Sequence, residues 1–90
     1  MKLERQVTIC NKLGLHARAA TKLAILANQF DASVTLSNGE KSASAASVLG
    51  LLMLESGKGK TISLSAEGDD AEAALDAICA LINARFEEDK

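Results

Sequence analysis

"NKLGLHARAATKLA", residues 11–24, marks the point where an extended segment gives way to a helix, and it carries the chain's one histidine. Before it, "RQVTIC" (5–10) alternates, with Val7 and Ile9 on one face and Thr8 on the other, as a half-buried strand does. After it, the spacing predicts a helix from Ala17 to about residue 29, with Ala20, Leu23, Ala24, Ala27 and Phe30 on one apolar stripe. Next, "ASVTLSNGEKSAS" (32–44) supplies a strand carrying Val34 and Leu36, a turn and a short polar strand. Asn38-Gly39 is a hairpin signal, because both residues tolerate positive φ. "SVLGLLML" (47–54) reads as a short helix that starts at Ser47 and is broken by "SGKGK" (56–60). "TISLSAEG" (61–68) makes a strand with Ile62, Leu64 and Ala66 facing inward. The amphipathic run "DDAEAALDAICALINARF" (69–86) closes the chain, capped by Asp69 or Asp70, with Ala71, Leu75, Ile78 and Ile82 on its buried stripe.

The order is therefore β-α-β-β-α-β-α. Each strand has one apolar face, so the helices should cover one side of a sheet and leave the other wet. That is an α+β open-faced sandwich. Ninety residues without proline, 48% of them apolar, make one domain over residues 1–90.

Composition excludes several functions. Phe30 and Phe86 are the only aromatic residues and the net charge is −2, whereas a single-strand nucleic-acid reader needs stacking rings and a basic groove. The segment "MKLERQVTIC" alternates charged and apolar residues, unlike a signal peptide, and no apolar run suggests a membrane span. A cytoplasmic protein without membrane insertion is expected. Cys10 and Cys79 form no C-x-x-C pair, and one histidine makes no metal-ligand cluster, so both thiols are read as small apolar residues. No metal site or cofactor is expected. "GKGKT" (57–61) is a P-loop decoy: the position that needs glycine is Leu54, and the run opens a strand where the motif requires a helix.

His16 is the residue with chemistry to offer. At a helix N-terminus, backbone N–H groups lack intrahelical acceptors and the macrodipole disfavours an imidazolium. A neutral imidazole there has a lone pair for nucleophilic attack. A phosphoryl group taken up by it would land where helix N-termini bind anions, and Arg18 could add a forked contact. Gly14 permits the turn that exposes the ring. Spacing alone leaves a second reading equally open, in which His16 caps the helix and Arg18 is merely solvated. Residues 47–54 hold another anomaly, since Val48, Leu49, Leu51, Leu52, Met53 and Leu54 are apolar all round a two-turn helix. Either some are exposed as a partner surface, or the helix is wedged between sheet and loops. Ser47 caps it, which needs no regulatory role.

"GLHARAAT" (14–21), continued by "SNGEKSASAASVLGLLMLESGKGKTISLSAEGDDAEAAL" (37–75), resembles the HPr family. These are phosphocarriers of the bacterial phosphoenolpyruvate-dependent phosphotransferase system. The resemblance implies a four-stranded antiparallel sheet with three helices on one face. It implies His16 as phosphoryl acceptor at Nδ1, Arg18 as its support and Ser47 as a regulatory position. Val48 and Leu49, with Met53 close by, are the implied docking residues. The implied partners are enzyme I, an IIA-type domain of the sugar or nitrogen branch, and a kinase/phosphorylase for Ser47. The implied protein is a monomeric stoichiometric carrier, not an enzyme, with magnesium belonging to the enzyme I step. One departure is Ala19, which stands where the family commonly has proline; alanine leaves the first helical turn more mobile. "LLMLESGKG" looks closer to nitrogen-branch and Gram-positive carriers. The competing class is a regulatory binding module that uses helix 47–54 without phosphoryl turnover.

Overall fold

Alternating strands and striped helices assemble as their apolar faces require. The computed structural model describes residues 2–54 and 57–87. In it the elements run β1 (Lys2–Thr8), α1 (Ala17–Ala27), β2 (Ser33–Ser37), β3 (Ser42–Ser44), α2 (Val48–Met53), β4 (Thr61–Glu67) and α3 (Ala71–Asn83), followed by a 3-10 turn, Arg85–Glu87. The four strands form one antiparallel sheet in the order β1-β4-β2-β3. Register pairs Lys2 with Glu67 and Thr8 with Thr61 on one side of β4, and Ser33 with Glu67 and Ser37 with Ser63 on the other. Ile62, Leu64 and Ala66 are buried with Val34, Leu36 and Val7, while the intervening hydroxyl-bearing positions face outward. On the covered side, the α1 stripe (Ala19, Ala20, Leu23, Ala24, Ala27) and the α3 stripe (Ala71, Ala74, Leu75, Ile78, Ile82) complete the core.

The structure corrects several boundaries. β1 begins at Lys2 and not at Arg5, because Leu3 and Arg5 are half-buried between exposed Lys2, Glu4 and Gln6. Those charges hide the alternation in the sequence. Arg5 also pairs with Asp76 of α3, and that hydrogen bond raises the guanidinium pKa. Pairing continues past Thr8 through Ile9, whose N–H donates to Lys60 O (2.9 Å) and whose carbonyl accepts from Gly59 N (2.8 Å). α1 stops at Ala27: Asn28 N and the Asn28 side chain both donate to Ala24 O (3.1 and 2.8 Å), after which Gln29 N and Phe30 N turn to carbonyls three residues back. Phe30 is consequently half-buried beyond the helix.

In the β2–β3 hairpin only Gly39 has positive φ (96°). The Asn38 side chain makes this turn: its Oδ1 accepts from Glu40 N (3.0 Å) and Lys41 N (2.9 Å). Asp70 occupies the N-cap position of α3 without capping it. Its Oδ2 accepts instead from Asp31 N (2.7 Å), and its own N–H donates to Asp31 O (3.1 Å), bracing α3 against the loop after α1. α3 ends at Asn83, short of the predicted Phe86, and its last carbonyls, Ile82 O and Asn83 O, lie 3.5 and 3.7 Å from Cys10 Sγ. Arg85 and Phe86 then adopt left-handed conformations (φ 59° and 55°). Phe86 is fully buried and its carbonyl accepts from Lys22 Nζ at 2.9 Å. Burying a phenyl ring offsets the backbone strain. Ser56, first residue of the predicted break after α2, lies outside the described residues. No helix among the described residues is long and apolar enough to cross a membrane.

Candidate functional site

The segment between β1 and α1 is built to deliver His16 to a helix end. Asn11 is fully buried. Its Nδ2 donates to Gly14 O (2.8 Å), and Gly14 N returns a bond to Asn11 O (3.2 Å). This closed turn needs φ of 68° at Gly14, a conformation that costs glycine nothing. Leu15 then plugs the core, and the next residue is the helix N-cap. Asn11 was not legible as a positioning residue from composition; the signal that could have found it is an asparagine three residues before a glycine, the pattern of a side-chain-closed turn.

His16 takes the N-cap position with extended backbone (φ −87°, ψ −179°), and its carbonyl accepts from Ala20 N at 2.8 Å. Its imidazole is half-buried and makes no capping hydrogen bond to the helix. The capping alternative thus holds for the backbone but not for the ring. The N–H groups of Ala17, Arg18 and Ala19 precede the first intrahelical bond, and the first turn carries no acidic residue. Arg18 is exposed and, among the described residues, forms no ion pair. Ala19, in the place of the family's usual proline, points its methyl into the core with no exposure.

α2 packs against α1 and β3. Of its apolar side chains, Leu51 is fully buried and Leu54 nearly so, whereas Leu49 and Met53 are 75% and 67% exposed. Val48 is half-buried, so it contributes less surface than its two neighbours. Ser47 caps α2 through Oγ, which accepts from Gly50 N at 3.1 Å. A Cβ on Gly50 would sit 3.1 Å from Ala43 Cβ and 3.2 Å from Ser47 Oγ, so glycine lets α2 lie close on β3. Replacing Ser47 by alanine should remove this cap and cost about 1 kcal/mol, read as a lower urea midpoint. Ser47→Asp, which retains an acceptor, should keep the parent's melting temperature or exceed it.

Comparison with known proteins adds an independent line. A family model described as the phosphorylation site of the PTS HPr component matches residues 3–84, a span that includes His16 and Ser47. The phosphocarrier protein NPr of Shewanella violacea is 77% identical over 87 residues, covering 97% of this chain and 96% of that one. The NPr of Escherichia coli K12 is 50% identical over 90 residues, covering 99% of this chain and all of its own. Among solved structures, the HPr of Thermoanaerobacter tengcongensis superposes with a TM-score of 0.92 at 36% identity, over 98% of this chain and 99% of that chain. A likeness that runs through both residues and backbone from β1 to α3 leaves one assignment: the chain belongs to the HPr family of phosphotransferase-system phosphocarriers and is of the NPr type.

Proposed function

We propose that the chain is a stoichiometric carrier in which His16 takes a phosphoryl group from phosphorylated enzyme I and passes it to a histidine of an IIA-type domain. The observation that carries this reading is an imidazole at the head of α1 that is not used to cap the helix, beside N–H groups with no intrahelical acceptor. In the transfer, the Nδ1 lone pair of His16 attacks the phosphorus on the donor histidine. The donor's P–N bond breaks, its electron pair returns to the donor imidazole, and a new P–N bond forms. Passage to the acceptor repeats the same exchange. Such a step asks a protein for in-line positioning and charge stabilisation, both within reach of a small carrier.

In this reading the α1 N–H groups and Arg18 receive the phosphoryl oxygens. Arg18→Ala should slow transfer roughly ten- to a hundred-fold, through loss of about 1.5–3 kcal/mol of charge-assisted contact. Its melting temperature should match the parent's, since the side chain is exposed. Leu49 and Met53, with a smaller share from Val48, form the docking surface for both partners. Ser47 is the regulatory position: a kinase that placed negative charge there would set it beside an apolar patch that must desolvate. The carrier acts as a monomer in the cytoplasm.

The test is a relay assay. Phosphoenolpyruvate with a catalytic amount of enzyme I should load one phosphoryl group per chain, and an IIA-type domain should discharge it. Tight binding of enzyme I with no loading would instead assign the chain to the class of regulatory modules.

A further inference from the structure

Six residues are too few for a helix to hold its own shape, because fewer than two turns return little against the cost of nucleation. α2 (Val48–Met53) must therefore be fixed from outside at both ends. Ser47 Oγ fixes its start. At its end the last carbonyls have no intrahelical donor, and one of them is met from far along the chain. Asn38 Nδ2, in the β2–β3 turn, donates to the carbonyl of the C-cap residue Leu54 at 2.7 Å. The Oδ1 of the same side chain accepts from Glu40 N and Lys41 N. These three contacts admit one orientation of the amide. A flipped side chain would aim its NH2 at two N–H donors and its oxygen at a carbonyl. The turn and the end of α2 are thus one hydrogen-bonded unit. Packing does less here, since a groove of about 300 Å³ lined by Lys41, Ser42, Gly50, Met53 and Leu54 opens between β3 and α2. Met53, next to the tethered carbonyl, is 67% exposed.

We infer that Asn38 is a positioning residue for partner docking: its amide holds the last turn of α2 so that Met53 and Leu49 meet a partner already in place. The inference rests on the docking surface of the carrier reading and adds to it a half-buried residue from a different element. A patch ordered in advance loses less freedom on binding, so this hydrogen bond acts on affinity and not on the phosphoryl exchange itself.

Asn38→Asp separates the two halves of the side chain. A carboxylate still accepts from Glu40 N and Lys41 N, so the turn survives, but it has no proton to give Leu54 O and sets an oxygen against it. The variant should stay folded, raise KM for transfer from phosphorylated enzyme I about tenfold, and leave kcat within about twofold of the parent. In methyl NMR the Met53 signal, one of two from methionine, should shift and sharpen as the last turn loosens. Gly39→Ala is the control, because it strains the same turn without touching the tether and should keep the parent's KM. An Asp variant with the parent's KM and the parent's Met53 signal would overturn the inference and leave the carrier reading intact. So would a control that raises KM as far as the Asp variant does. The parent alone gives a check that needs no variant to fold: the Asn38 NH2 protons should exchange slowly with solvent and show an Overhauser contact with Leu54. Fast exchange without that contact would overturn the inference. Unchanged KM in Leu49→Ala/Met53→Ala would overturn the docking reading and the inference together.

Discussion

His16→Ala should fold like the parent and accept no phosphoryl group. The two halves of that expectation come from different atoms. Folding uses the backbone of His16, whose carbonyl opens the α1 ladder by accepting from Ala20 N, and alanine keeps that bond. The imidazole makes no capping bond and is half-buried, so its truncation should leave the chain folded, at a cost of about 1 kcal/mol. Transfer uses the ring nitrogen, and the chain holds no second histidine to replace it. Loss of loading should therefore be complete, far beyond the ten- to a hundred-fold slowing expected of Arg18→Ala. Circular dichroism melting and a loading assay on the same preparation separate the two effects. A variant that unfolds would make His16 a structural residue.

Gly68→Ala should produce the largest loss of stability. Gly68 joins β4 to α3 at φ of 130°, a region other residues rarely enter. A Cβ there would lie 2.6 Å from Asp31 O and 2.8 Å from Ala32 Cα. Both are backbone atoms and cannot swing aside. Moving them would also disturb the brace, because Asp31 O accepts from Asp70 N. Backbone strain and overpacking together should cost about 3–4 kcal/mol, lowering the melting temperature by roughly 12–25 °C in a domain of this size. Gly39→Ala is the matched control, with φ of 96° and nothing within 4 Å of the added carbon. It carries strain without collision and should cost about 1 kcal/mol. Equal losses for the two variants would mean that the close approach at Asp31 does not exist in solution.

Where the sequence was readable, one physical rule dominated each element. Ile62, Leu64 and Ala66 alternate without interruption, and all three are buried. Ala71, Leu75, Ile78 and Ile82 follow the helical period, and they too are buried. Reading failed where tertiary contacts overrode local preference. Phe86 extends the α3 stripe on paper, four residues after Ile82, yet the chain turns left-handed to bring the ring home and Lys22 holds its carbonyl. Nothing local announces two adjacent left-handed residues that are not glycine. Asp70 has the sequence of a helix cap, but the nearby Asp31 N–H takes its carboxylate. At the candidate site, position was legible from local pattern: a histidine before a helical run marks an N-cap, and only the folded geometry shows that its backbone, and not its ring, does the capping. The exposure of Leu49 and Met53 follows from arithmetic, since a two-turn helix that is apolar all round cannot hide every side chain. Which ones emerge depended on Gly50 setting α2 close against β3.

The chemical stability of the phosphorylated chain tests the central claim most directly. After loading from phosphoenolpyruvate through enzyme I, intact mass should show one added phosphoryl group. It should disappear on brief acid treatment, survive alkali, and map to the peptide containing His16. That behaviour belongs to a P–N bond on a histidine, and this chain has only one. An adduct that resists acid and maps to Ser47 or any other hydroxyl would contradict the account.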